Sequence, residues 1–245
     1  MRSQKRVNKL YYNRYICRLE MKNILSGIFR NRNTSYAKSV IDSLNNVIDG
    51  RTEPFTSDEL KYKDLPMHIK YAITEISLHK FRSNLDDAKL VLHYLDTTED
   101  CKVRVDYPRN ISLYSMQRED LQELSNKLYF GSTLYAPTLD DEKLLLSEPN
   151  IELVQTPPKY LYKCYFNYRA KHLESFASWC EANRSKIKIT DNLIGLLKKG
   201  YLVDGHTFHV KNDKVLTMVK LIIGDGLGRV KKLVCNDKYI YGNEQ

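Results

Sequence analysis

The sequence predicts an α+β fold in which one order of elements, strand–helix–strand–strand–helix–strand, occurs twice. Polar and apolar residues alternate in short segments, as in strands, and apolar residues recur every three to four positions in longer segments, as in helices. The order of these segments is the same in both halves of the chain. With 245 residues and 42% apolar composition, the chain can form one large domain or two small ones.

The second half shows this order most clearly, beginning with a tyrosine-rich strand, KYLYKCYFNY. A short helix over Asp191–Lys199, ended by Gly200, separates the two middle strands. The predicted elements are the strand Lys159–Tyr168, the helix His172–Ala182, the strands Lys186–Thr190 and His206–Lys211, the helix Val215–Ile223 and the strand Arg229–Cys235.

The first half has the same order if two further helices, Ser35–Asp49 and Met67–Phe81, are treated as an insertion. Its predicted elements are the strand Tyr15–Lys22, the helix Leu85–Leu95, the hairpin Cys101–Ser115, the helix Glu119–Leu128 and the strand Ser132–Ala136. In the split βαβ, or ferredoxin-like, plan, right-handed crossovers place both helices on one face of a four-stranded antiparallel sheet. We therefore predict two α+β ferredoxin-like (βαββαβ) units, residues 1–136 with the helical insertion and 159–245, joined by a connector at 137–158.

Positive charge is concentrated at the two ends of the chain, whose net charge is +9. Residues 1–32 hold nine Lys/Arg and one acidic residue, and residues 160–245 hold fifteen and eight, whereas residues 33–159 hold fifteen and twenty-one. Solubility alone would explain an evenly spread charge, but this asymmetry indicates an anionic partner. We expect the segment Arg2–Arg18 to be a basic arm whose cations have no nearby acids and contact phosphates.

Strand alternation assigns side chains to the two faces of each predicted sheet. The residues expected to pack against the helices are Leu19, Met21, Val103, Val105 and Leu113 in the first unit, and Tyr162, Cys164, Phe166, Ile187, Ile189, Phe208 and Val210 in the second.

The opposite faces are predicted to be open, basic and aromatic. Charged residues on the solvent side of a strand are commonly only solvated, but cations for phosphates beside rings for unstacked bases suit single-stranded nucleic acid. The predicted contact residues are Arg6, Lys9, Arg14, Arg18, Lys102, Arg104 and Tyr114 in the first unit, and Lys163, Tyr165, Lys186, Lys188, His209 and Lys211 in the second.

In its order of elements, the chain resembles tandem RNA-recognition-motif (RRM) proteins and the paired ferredoxin-like domains of CRISPR-RNA-processing endoribonucleases. DGHTFHVK (Asp204–Lys211) resembles the RRM aromatic strand motif, without that motif's second glycine. The endoribonuclease resemblance implies a glycine-rich loop near the C-terminus, for which GDGLGR (Gly224–Arg229) is the candidate. In its compact, lysine- and tyrosine-rich composition, the chain also resembles early or accessory proteins of tailed phages.

No catalytic, cofactor-binding or metal-binding signature is recognisable in the sequence. The run Gly224–Gly228 follows a predicted helix and precedes a strand, the reverse of a dinucleotide fingerprint, and indicates a helix stop and turn. His206 and His209 are three residues apart, which puts them on opposite faces of a strand, so a shared metal is not expected. His209 or His172 could still act as a general base in metal-independent RNA cleavage.

The favoured interpretation is a non-enzymatic protein that binds single-stranded RNA or DNA without cofactors or metals. Two alternatives stay open: a protein-interaction or virion-assembly protein with an acidic protein partner, and a metal-independent endoribonuclease. The chain has no apolar run long enough for a membrane span, and its basic N-terminus lacks the apolar segment of a signal peptide. Five scattered cysteines without a C-x-x-C pair indicate a reducing compartment, so we expect a cytoplasmic protein, in the host cytoplasm if it is viral.

Overall fold

The chain forms a mixed α+β structure that divides into two compact units, each with one five-stranded sheet. The first unit comprises Met1–Val7 and Tyr11–Thr138, and the second comprises Asn8–Leu10 and Leu139–Gln245. In the part of the chain that the structure describes, no helix is both long and apolar enough to cross a lipid bilayer. The computed structural model describes residues 2–53, 56, 67–74, 76–106, 110–148, 150–170 and 173–236.

Nine helices and strands make up the described part of the first unit, together with a 3-10 segment over Ser26–Arg32. They are β1 (Ser3–Arg6), β2 (Cys17–Lys22), α1 (Thr34–Ile48), α2 (Met67–Thr74), α3 (Leu78–Thr97), β3 (Cys101–Asp106), β4 (Asn110–Ser115), α4 (Arg118–Lys127) and β5 (Ser132–Ala136). The strand order in the sheet is β1–β5–β2–β4–β3. β1 is parallel to β5, and the other neighbouring pairs are antiparallel.

The second unit has an equivalent sheet. Its described elements are α5 (Leu139–Ser147), β6 (Ile151–Val154), β7 (Tyr162–Phe166), α6 (Leu173–Ala182), β8 (Ile187–Lys188), α7 (Asp191–Lys198), β9 (Thr207–Val210), α8 (Asp213–Ile223) and β10 (Leu227–Cys235). The strand order is β6–β10–β7–β9–β8. β6 is parallel to β10, and the other pairs are antiparallel.

Each sheet carries an edge strand that the sequence did not predict. β1 lies within the expected basic arm, and β6 lies within the expected connector at 137–158, which instead supplies α5 and β6 to the second unit. Both strands have only four residues and are held by pairing with the last strand of their unit. Such a short segment shows too few alternations to be recognised by its pattern.

The core of the second unit contains the residues that alternation placed against the helices. Tyr162 packs half-buried against this core, and the others are buried. Three helices cover this face of the sheet, because the same core contains Phe176 of α6, Leu197 of α7 and Val219 of α8. The opposite face is therefore the one turned away from these three helices.

The face assignment also holds for the centre of the first sheet. Leu19, Met21 and Leu113 are buried on the central strands β2 and β4, as predicted. Val103 and Val105 were expected in the core but are only half-buried. They lie on β3, the edge strand of the sheet, which has a neighbour on one side only.

The predicted helix Met67–Phe81 is in fact two elements. α2 ends at Thr74, and α3 begins after Ser77, whose hydroxyl accepts a hydrogen bond from the Lys80 amide at 3.5 Å. A serine in this position satisfies one of the free amides of the first helical turn and so favours a new helix start. α3 then includes the separately predicted helix Leu85–Leu95.

The glycine run after α8 ends the helix, as predicted, and is also packed tightly. A Cβ added to Gly226 would lie 2.7 Å from the Cα of Ala170, whereas a Cβ added to Gly195, in α7, would meet nothing within 4 Å. We expect Gly226→Ala to destabilise the second unit by about 1–3 kcal/mol, because the backbone must move to relieve the clash. Gly195→Ala is the matched control and should be neutral or stabilising, since alanine favours helix. Urea unfolding measures both, and equal midpoints for the two variants would contradict the expected clash.

Candidate nucleic-acid interface

Four basic side chains form a continuous row across the second sheet, on the face opposite the helices. Lys231 of β10 pairs with Lys163 of β7, Lys163 pairs with His209 of β9, and His209 pairs with Lys188 of β8. Directly paired residues of neighbouring strands project from the same face of a sheet. We call Lys231, Lys163, His209 and Lys188 the basic row.

Solvent exposure is lowest at the β10 end of the basic row and highest at the β8 end. Lys231 is 1% exposed, the Lys163 side chain is 22% exposed, His209 is half-buried and Lys188 is exposed. The β8 end of the row is therefore accessible to a large ligand, while the β10 end is shielded from water.

The charge state of the row is set by burial and by one acidic neighbour. The Lys163 amine donates hydrogen bonds to both carboxylate oxygens of Glu152 on β6, at 3.1 and 3.4 Å. Burial alone would favour the neutral amine, but Glu152 raises the pKa of Lys163 above its ordinary value. Burial, with the charges of Lys163 and Lys188, lowers the pKa of His209. At neutral pH, Lys163 is therefore charged and His209 is neutral.

A tyrosine ring lies beside the basic row on the same face. Tyr165 is two residues from Lys163 along β7 and is half-buried. Two cations flank its ring: the Lys163 amine is 5.8 Å from the ring centroid, and the Arg229 guanidinium is 5.6 Å from it. A flat ring next to cations is the combination that stacks a base while its phosphate is neutralised.

Lys186 and Lys211 extend the basic surface at the end of β8 and β9. The Lys211 amide donates a hydrogen bond to the Lys186 carbonyl at 2.9 Å, so the two residues are adjacent, and both are exposed. Lys186 is two residues before Lys188, and Lys211 is two residues after His209. Both side chains therefore lie on the same face as the basic row. The structure thus brings together the contact residues that the sequence predicted for the second unit.

The first sheet has an equivalent row in which cations and tyrosines alternate. The paired residues are, from β1 to β3, Lys5, Tyr135, Arg18, Tyr114 and Lys102. The Arg18 guanidinium is 4.0 Å from the centroid of the Tyr135 ring, and the Lys5 amine is 5.5 Å from it. Arg18 is therefore already engaged with an aromatic ring of the same unit.

The Tyr114 ring is not open to a ligand, contrary to the sequence prediction. Tyr11 and Tyr12 pack edge-to-face on it, with centroid distances of 5.3 and 5.0 Å, and leave it 3% exposed. The Lys102 amine in turn lies 3.7 Å from the centroid of the Tyr12 ring. Alternation placed Tyr114 on the correct face, but it contained no information about the loop that covers this face.

The expectation that the cations of the N-terminal segment have no acidic neighbours was wrong. Arg14 forms an ion pair with Asp100 at 2.7 Å, and Arg18 forms one with Glu20 at 3.0 Å. Asp100 is distant in sequence, so local charge counting could not identify it. The segment is part of the folded units and not a separate arm.

Of the remaining predicted residues of the first half, Arg104 shares a face with Lys102, two positions away on β3. Arg104 pairs with Asp106 on its own strand at 2.9 Å. Arg6 is exposed on the edge strand β1, and Lys9 is half-buried in the second unit.

Sequence reasoning missed three residues around the basic row. Arg229 and Lys231 were inside a predicted strand, and their alternation with Val230 was a signal that could have placed both on the open face. Glu152 had no such signal, because its strand was not predicted.

The structure does not single out a catalytic group. His209 pairs with Lys163 and Lys188 in the basic row, and His172 lies outside the described residues. No group of three or more His, Cys, Asp or Glu within the described ranges is arranged to hold a metal ion.

No protein-family model, curated protein or solved structure matches this chain.

Proposed function

We propose that this chain binds single-stranded RNA or DNA through the second unit, using the basic row and the Tyr165 ring. The observation that carries the proposal is the register by which Lys163, His209 and Lys188 lie side by side on the face opposite α6, α7 and α8. Four strands span about 14 Å, since neighbouring strands are about 4.8 Å apart. Such a surface offers cations to consecutive phosphates and a ring to an unstacked base.

Both units are proposed to follow the ferredoxin-like plan, with RRM-like use of the sheet face opposite the helices in the second. Without the edge strands β1 and β6, each sheet has four strands. If these are numbered 1 to 4 along the chain, their order across the sheet is 4-1-3-2, and all neighbours are antiparallel. This order supports the split βαβ plan, to which β1 and β6 are additions. Binding is assigned to the second unit because Tyr11 and Tyr12 cover the corresponding ring of the first.

Fluorescence anisotropy with a labelled single-stranded oligonucleotide tests the proposal. Affinity should fall steeply between about 50 and 200 mM salt, with a slope of about −0.7 for each phosphate contacted. A duplex of the same sequence should bind more weakly, because its bases are not available to Tyr165. Affinity that is absent at low salt, or unchanged by salt, would refute the proposal. Electrophoresis of the recovered oligonucleotide shows whether it is also cleaved.

Binding should strengthen as the pH falls below neutral. The pKa of His209 lies below its ordinary value of 6.5, so the imidazole is neutral at pH 7 and gains a positive charge, which favours phosphate, as the pH falls through its pKa. We expect affinity to rise as the pH falls below 6.5, by about fivefold once the imidazole is fully charged, which is the value of one added charged contact. In His209→Gln, which cannot become charged, this rise should disappear. Anisotropy at matched ionic strength measures it, and an identical pH profile in both proteins would exclude His209 from the contact.

A further inference from the structure

Lys231 is a buried lysine on β10. Its side chain is 1% exposed, and among the residues that the structure describes its Nζ has no hydrogen-bond partner. Buried amines are normally hydrogen-bonded, and a buried charge without a partner is strongly unfavourable. The buried Lys231 amine therefore lowers the stability of the second unit unless a ligand supplies an acceptor.

The surroundings of Lys231 carry an excess of positive charge. Burial lowers the pKa of Lys231 to about 8; Glu152 opposes this shift, while Lys9, Arg229 and Lys163 add to it. Glu152 already accepts both hydrogen bonds from Lys163. Four basic side chains from β7, β10 and the segment Asn8–Leu10 therefore face one carboxylate.

We propose that Lys231 is the centre of a subsite for one phosphate group, with Lys163 and Arg229 as its flanking cations. A phosphate would supply the missing acceptor oxygens and the missing negative charge together, and charge-assisted hydrogen bonds to phosphate are among the stronger ones in proteins. In taking a phosphodiester of a bound strand as the ligand, we rely on the proposed function. A phosphomonoester of a small molecule has the same chemistry and is distinguished by the experiment.

Occupation of the subsite is coupled to proton uptake. An anion beside Lys231 stabilises its charged form and so raises its pKa, which reverses part of the effect of burial. Phosphate binding should therefore weaken between pH 7 and 9, as the amine of the free protein loses its proton.

The test compares Lys231→Met with Lys232→Met in the full chain, using inorganic phosphate as the probe. Lys232 is the next residue of β10, is exposed and pairs with Glu148, so its replacement removes the same charge away from the subsite. Phosphate at saturating concentration should raise the melting temperature of the wild type and of Lys232→Met by about 3 °C relative to chloride at equal ionic strength. Lys231→Met should melt at a higher temperature than the wild type without phosphate, and phosphate should not shift it. An equal phosphate shift in both variants, or no shift in the wild type, overturns the proposal.

A second measurement does not depend on folding of the variants. In wild-type protein with ¹³C-labelled lysine, one side-chain resonance should titrate near pH 8, and phosphate should move its midpoint upward. If phosphate leaves every lysine midpoint in place, the subsite does not exist.

Measuring oligonucleotide binding by both variants distinguishes a failure of the subsite proposal from a failure of the proposed function. Single-stranded oligonucleotide should compete with phosphate and bind Lys231→Met about tenfold more weakly than Lys232→Met. If the oligonucleotide binds both variants equally, nucleic-acid binding stands and the subsite fails. If phosphate raises the melting temperature only when Lys231 is present, but no oligonucleotide binds, the subsite stands as a site for a small phosphorylated molecule and the proposed function fails.

Discussion

Reversing the charge of Lys186 and Lys188 together is expected to weaken the binding of single-stranded oligonucleotide about 100-fold at low salt. Both side chains are exposed and lie at the accessible end of the basic surface. A tenfold loss for each residue corresponds to about 1.4 kcal/mol. Because two phosphate contacts are lost, the salt dependence should also become shallower by about 1.4 in slope. Anisotropy titrations over a range of salt concentrations measure both quantities.

The matched control places the same charge change on the other face of the second unit. Lys214 and Lys220 are exposed on α8, which covers the opposite face of the sheet. Lys214→Glu with Lys220→Glu lowers the net charge equally and should retain most of the affinity. If both double variants lose affinity to the same extent, the binding is a general effect of net charge, and the sheet face is not the interface.

Replacement of Phe208 by alanine should cost the second unit about 3–5 kcal/mol in free energy of unfolding. Phe208 is fully buried, and its ring centroid lies 4.9 Å from that of Phe166 and 5.4 Å from that of Phe176. Truncation removes these ring contacts and leaves a cavity between the sheet and α6. Because domains are stable by only about 5–15 kcal/mol, this loss brings the unit close to unfolding.

The single tryptophan makes this measurement specific to the second unit. Trp179 lies on α6 and stacks on Phe176, with ring centroids 5.9 Å apart, so its fluorescence reports on this core. Leu221→Ala is a suitable control because Leu221 is 75% exposed on α8, and surface replacements usually change stability by less than about 0.5 kcal/mol. A urea midpoint for Phe208→Ala equal to that of Leu221→Ala would show that the three rings do not form the centre of this core.

The elements of the repeat could be predicted because their patterns are local. Cys164 and Phe208 alternate with Lys163 and His209 along two strands, and this alternation specifies which side chains share a face before any partner strand is known. All five positions of the strand Ser132–Ala136 likewise alternate between buried and half-buried in the folded sheet. The candidate surface of the second unit was predictable for the same reason.

The edge strands could not be predicted from pattern. β1, with the sequence SQKR, has no apolar residue and is exposed throughout. It is a strand only because Ser3–Arg6 pairs with β5, more than a hundred residues later in the chain. The same holds for β6, which is defined by its parallel pairing with β10.

The helices and strands of the repeat, and the side chains that share each sheet face, could be predicted from local pattern, because both follow from the periodicity of the backbone. The segments that cover each face and the pairing of charges follow from the folded structure instead. Tyr114 is buried by a loop from the N-terminal segment, Arg14 meets Asp100, and Lys231 is enclosed among other cations. These outcomes depend on segments far apart in the chain coming together, and they leave the basic face of the second sheet accessible around Lys188, where the proposed function rests.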